Sequence, residues 1–156
     1  MTTREARPHE VDGVDYRFVD RPTFEAAVAA GEMVEWAEYS GNLYGTPKAA
    51  IEGPLAEGRD VLLDIEILGA KQVRAAFPEA LMIYVLPPTT DTLESRLRGR
   101  GDTDEEAIAK RLAVAEWQMA EARRLFDYFV VNDDLVSAID EVAGILSAPR
   151  PPQAHT

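Results

Sequence analysis

Val61-Leu62-Leu63-Asp64-Ile65 is an apolar run interrupted only by an acid at its fourth position. Such a run suits a strand covered on both faces, as in a parallel sheet with helices above and below. The residues downstream keep an alternation going. Ile67–Ala76 reads as helix, Leu81–Leu86 as strand and Thr89–Arg98 as helix. A second helix runs from about Asp104 to Arg124, with Thr103 and Glu106 spaced as a capping box. Tyr128–Val131 reads as strand and Asp134–Ser147 as the last helix. Strands alternating with helices predict a parallel, doubly wound α/β core.

Upstream of Val61 the pattern is different. Pro47–Glu57 is helical but contains Gly53-Pro54, which is expected to end or kink it. Met33–Tyr39 and Leu43–Thr46 flank Ser40-Gly41-Asn42, a hairpin-like turn signal. Pro22–Ala30 reads as a helix with proline in its first turn and Gly31 as its stop, and Val14–Val19 as a short strand. At the other end, Pro149-Arg150-Pro151-Pro152 closes the fold, and residues 149–156 are expected to form a loose tail.

The 156 residues suffice for one domain with a real core. Lys and Arg number 16 against 28 Asp and Glu, a formal charge of −12, which argues against a nucleic-acid backbone as partner. An acidic chain that holds a phosphorylated ligand must therefore gather its arginines locally. Cysteine is absent, so disulfides and thiolate metal sites are excluded. No apolar run is long enough to cross a bilayer, and the expectation is a soluble cytoplasmic protein.

Four groups of residues carry chemistry. Arg4 and Arg7 lie three apart, ahead of Glu10 and Tyr16; guanidinium forks grip phosphate bidentately, and a tyrosine hydroxyl adds a donor. A solvated charged loop has the same composition. Glu35, Tyr44 and Thr46 flank the turn signal, as they would also in a solvent-facing hairpin. Asp64 ends an apolar run, the pattern of an acid at the carboxyl edge of a parallel sheet, although many buried strands end so. Arg96, Arg100 and Arg111 surround a glycine-punctuated turn before a capped helix, which suits either a phosphate-binding lid or a salt-bridged surface.

Together these stretches resemble one family. TTREARPHEVDGVDYRF (Thr2–Phe18), VEWAEYSGNLYGTP (Val34–Pro47), DIEILGA (Asp64–Ala70) and RGDTDEEAIAKR (Arg100–Arg111) are similar, in that order, to the motifs of guanylate kinases. The likeness covers Thr2 to about Leu146. It implies a P-loop-kinase-like parallel sheet with flanking helices, a small β-rich GMP-binding insertion and an arginine-bearing lid. On that reading residues 1–148 form a single domain. About 1–57 would bind GMP, 58–94 and 125–148 would form the core, and 95–124 the lid with its following helix.

The resemblance also implies roles. Arg4, Arg7, Tyr16 and Tyr44 would hold the GMP phosphate. Glu35 would accept the adjacent N1–H and N2–H of guanine, Thr46 would serve O6, and Glu66 would lie close to GMP. Asp64 would assist Mg²⁺, which enters with ATP as phosphoryl donor. Arg96, Arg100 and Arg111 would contact ATP phosphates and stabilise the transferred group, and Asn132 would lie near adenine. Four positions depart from the family's usual pattern: His9 replaces glycine, Leu43 stands where tyrosine is common, Glu66 replaces a shorter acid and Leu68 replaces glutamine.

The implied activity is transfer of a phosphoryl group from ATP to GMP, within purine nucleotide metabolism. In this family a G-x-x-x-x-G-K-[ST] loop precedes T-T-R, and the 156 residues contain no such motif. The chain thus resembles a guanylate kinase truncated at its amino end, lacking the first strand and P-loop, and alone it is expected to be inactive. The alternative is a non-catalytic guanylate-kinase-like module that binds a protein or a nucleotide.

Overall fold

The computed structural model describes residues 1–99 and 105–148. Arg100, Thr103, the start at Asp104 of the second expected helix and the tail at 149–156 lie outside the described residues. The chain divides into two compact units, Met1–Pro78 and Glu79–Thr156.

The first unit is built on a hairpin. Strands β1 (Met33–Tyr39) and β2 (Asn42–Pro47) pair antiparallel, with Tyr39 opposite Asn42 and Glu35 opposite Thr46. The connection is the two residues Ser40 and Gly41, at φ +50° and +78°; a loop with both φ positive follows the right-handed twist of the flanking strands. Helix α1 (Arg21–Ala29) starts where Asp20 accepts the Thr23 amide at 2.9 Å, and it buries Phe24 completely. Helix α3 (Ile67–Ala76) packs Ile67, Ala70 and Val73 inward and lies against β1.

Two expectations fail in this unit. Val61–Ile65 is not a strand: residues 59–66 carry neither helix nor ladder, and Leu62 is 86% exposed while Val61, Leu63 and Ile65 are half-buried. Apolar side chains supply one face, but a strand also needs a neighbouring backbone about 4.8 Å away, and no described segment pairs with this one. Val14–Val19 likewise reduces to isolated bridges, Thr2 to Phe18 and Asp12 to Tyr16.

Gly53-Pro54 does not stop α2 (Lys48–Ala56) where it stands. Proline crowds the Cβ of the residue before it, and Gly53 has none, so the turn survives. The helix ends within three residues, where the Glu57 amide reaches Gly53 O at 3.2 Å and Gly58 takes φ +74°.

The second unit contains the parallel pair. Strands β3 (Ile83–Leu86) and β4 (Tyr128–Val131) run side by side, joined through α4 (Thr90–Gly99) and α5 (Glu105–Leu125), and α6 (Leu135–Ser147) packs on β4. Asp134 caps α6 by accepting from the Ser137 amide at 2.9 Å and its hydroxyl at 2.8 Å. Met82, Leu97, Ile108, Ala122 and Val130 are buried. The result is a mixed α/β fold with a parallel sheet and flanking helices, as the alternation predicts. No described helix is long and apolar enough to cross a membrane.

Candidate nucleotide site

The threonines ahead of Arg4 anchor it. Thr2 is wholly buried; its amide donates to Arg17 O and its hydroxyl to Leu43 O, at 3.0 and 2.9 Å. The Thr3 hydroxyl accepts the Leu43 amide at 2.9 Å, and Thr2 bridges Tyr44. Two short hydroxyl side chains thus stitch this segment to β2, and Arg4 comes next in the chain.

Arg4 is gripped by Glu10. Its Nη1 and Nη2 donate to the two carboxylate oxygens at 2.9 and 2.8 Å, and the Arg7 amide donates to Glu10 Oε2 at 2.7 Å. The Arg4 guanidinium holds the Glu10 carboxyl far down, at about 2, with the Arg7 amide second. Arg4 also lies 5.6 Å from the Tyr16 ring centroid and 5.8 Å from that of Phe18, and Tyr16 meets Tyr44 edge-on at 6.4 Å. Arg4, Tyr16 and Tyr44 are therefore brought together, and Arg7 is exposed beside them. Sequence reasoning gives Glu10 no role of its own; its signal is the R-x-x-R-x-x-E spacing, in which one acid serves both arginines.

The hairpin places Glu35, Thr46 and Tyr44 on one face, because successive paired positions alternate sides. Glu35 is 4% exposed, and Thr46 donates to its Oε1 at 2.6 Å. Burial pushes the Glu35 carboxyl above its ordinary value, against the pull of that hydrogen bond. Glu66 sits at the N-cap of α3, near enough for the charge of Glu35 to add to burial in raising its carboxyl too. Glu66 Oε1 is buried and meets no hydrogen-bond partner among the described residues. Asp64, on the unpaired segment before α3, is exposed.

In the second unit, Arg96 of α4 donates from Nη1 to Asn132 O at 2.9 Å. The two flank a cavity of about 200 Å³ whose walls include Val85, Leu86, Pro87 and Leu97. Arg111 lies half-buried on α5.

A family model described as guanylate kinase matches residues 1–149. The chain belongs to the guanylate kinase family. A guanylate kinase of Thermus thermophilus is 55% identical over 150 residues, covering 96% of this chain and 68% of that protein. One from Synechocystis is 48% identical over 145 residues, covering 93% of this chain and 75% of its relative. The crystal structure of guanylate kinase from Anaplasma phagocytophilum superposes with a TM-score of 0.78 at 33% identity, over 93% of this chain and 70% of that one. The fold is thus that of the P-loop-like kinases, and the chain is an enzyme of the guanylate kinase family.

Proposed function

We propose that the first unit of this guanylate kinase binds GMP, with Glu35 and Glu66 on the guanine and Arg4, Arg7, Tyr16 and Tyr44 on the phosphate. The observation that carries the reading is a pair of neighbouring carboxylates, one almost fully buried and one with an orphaned buried oxygen. Burying carboxylates without donors is costly, so the pair suits a ligand that brings donors with it. Guanine does so through N1–H and N2–H; adenine offers an unprotonated N1 instead.

Thr46 has one hydroxyl proton, and it is given to Glu35 here. When guanine donors reach Glu35, that proton becomes free to turn to O6. The phosphate then meets Arg4, whose fork Glu10 has already oriented, together with the hydroxyls of Tyr16 and Tyr44.

ATP is the donor in this reading. The cavity beside Asn132 is apolar-walled and of a size for a flat base, and Arg96, Arg100 and Arg111 would neutralise phosphate charge as it shifts during in-line transfer. Among the described residues no three His, Cys, Asp or Glu side chains cluster as a metal site. Mg²⁺ would enter on the nucleotide phosphates, with Asp64 in support as the family resemblance implies. Mg²⁺ supplies charge neutralisation on those phosphates. The setting is purine nucleotide metabolism in the cytoplasm.

Calorimetric titration of the chain with GMP and AMP tests the assignment. Saturable binding of GMP in clear preference to AMP is expected. Absence of GMP binding, or equal binding of both, refutes it.

A further inference from the structure

Glu35 reaches its place through α3, not through the hairpin alone. An ideal Cβ built on Gly69 would lie 2.3 Å from Glu35 Oε2, 3.1 Å from Cδ and 3.6 Å from Cγ. The carboxylate therefore occupies the space that any side chain at position 69 would fill. It has little room to retreat, being 4% exposed and bonded through Oε1 to Thr46 at 2.6 Å.

One turn further along, Gln72 fixes the backbone beside it. Its Oε1 accepts the Trp36 amide at 3.2 Å, and its Nε2 donates to Trp36 O at 2.7 Å and to Leu68 O at 3.2 Å. The side-chain amide thus pairs with the residue after Glu35 as a neighbouring strand would, tying the edge of β1 to the helix. Glu66, Gly69 and Gln72 recur every three residues, so one stripe of α3 supplies the second acid, the gap and the clamp.

We propose that Gly69 and Gln72 are positioning residues for guanine selection, holding Glu35 Oε2 where it can meet the 2-amino group of the base. The proposal rests on Glu35 reading guanine. Neither residue touches the nucleotide; both act through Glu35. A methyl at position 69 pushes the carboxylate off its site while leaving the phosphate grip of Arg4, Tyr16 and Tyr44 as it was.

The discriminating pair of ligands is GMP and IMP, which share phosphate, ribose, O6 and N1–H and differ in the 2-amino group. Affinities for both are measured by calorimetry on the full chain, as wild type, Gly69→Ala and Gln72→Ala, with circular dichroism and thermal unfolding alongside. Wild type should prefer GMP. Gly69→Ala should lose about tenfold of that preference, the worth of one misplaced hydrogen bond to a charged group, with IMP, which offers Glu35 only N1–H, weakened less than GMP. Gln72→Ala should shift the ratio the same way by less, and it decides the matter if Gly69→Ala fails to fold. A packing role alone would lower melting temperature and weaken both nucleotides equally. That result, or an unchanged ratio in both variants, overturns the proposal while leaving the Glu35 assignment standing. A wild-type chain with no preference for GMP over IMP overturns both.

Discussion

Replacing Glu35 by glutamine should move stability and binding in opposite directions. Burial holds the Glu35 carboxyl above its ordinary value of 4.5, so ionising it at neutral pH costs the fold something that an amide of similar shape avoids. The Thr46 hydroxyl, 2.6 Å from Oε1, can donate to the amide oxygen as it does to the carboxylate. Glu35→Gln should therefore melt no lower than wild type at pH 7. Binding should suffer heavily. A carboxylate accepts N1–H and N2–H together, whereas glutamine offers one acceptor and turns its NH₂ against the remaining donor. Losing a charged hydrogen bond and leaving a donor unpaired sums to about 3–4 kcal/mol. That corresponds to roughly a few-hundredfold rise in the Kd for GMP.

Stability should also depend on pH with a definite sign. A carboxyl whose folded pKa is raised adds stability that is complete below the unfolded value and lost as pH rises through the folded one. Both Glu35 and Glu66 are raised, so each takes stability away as pH climbs above 4.5, and wild type should lose melting temperature relative to Glu35→Gln over that range. Thermal unfolding by circular dichroism across pH 4 to 8 and calorimetry with GMP give both readouts. A glutamine variant that binds GMP as tightly as wild type, or that is markedly less stable at pH 7, refutes the reasoning.

Two further substitutions have outcomes set by the geometry. Glu10→Gln removes the carboxylate that orients Arg4, and it should weaken GMP while leaving guanosine affinity unchanged in parallel titrations. The ion pair's contribution to stability should be present above pH 4.5 and fade as pH falls through about 2, which acid titration of the wild type against Glu10→Gln would reveal. Ser40→Asn places a residue more tolerant of positive φ in the hairpin turn, where serine sits at φ +50°. Urea denaturation should show a gain of about 0.5 kcal/mol, with GMP affinity unaltered.

The hairpin that carries Glu35 and Thr46 is legible in the sequence, while its register is dictated by a two-residue turn that the sequence marks only approximately. Four residues out from the Tyr39–Asn42 pair on either side lie Glu35 and Thr46; the signal Ser40-Gly41-Asn42 is one residue longer than the turn, because Asn42 pairs with Tyr39, so the hairpin is legible and its register is not. The cluster around Arg4 is less legible. Two arginines and a tyrosine resemble a charged loop until Thr2 and Thr3 are seen pinned to Leu43, a contact across about forty residues that no local pattern reports.

The apolar run at Val61–Ile65 points to the right fold class and to the wrong element. Its composition is that of a buried strand, but pairing is a property of a neighbour and not of the run, and Leu62 ends up in solvent. Gln72 escapes notice for a related reason. Its use is a side-chain-to-backbone bond to Trp36, which has no period and no motif length. Gly69 reads as part of D-I-E-I-L-G-A, yet only the position of the Glu35 carboxylate shows what the missing side chain makes room for.

The central claim is that the buried carboxylates receive guanine. A crystal structure of the chain with GMP tests it most directly. The account predicts N1 and N2 within hydrogen-bond distance of Glu35, and the phosphate against Arg4, Tyr16 and Tyr44. Guanine bound elsewhere, with Thr46 still bonded to Glu35 as it is now, would contradict it.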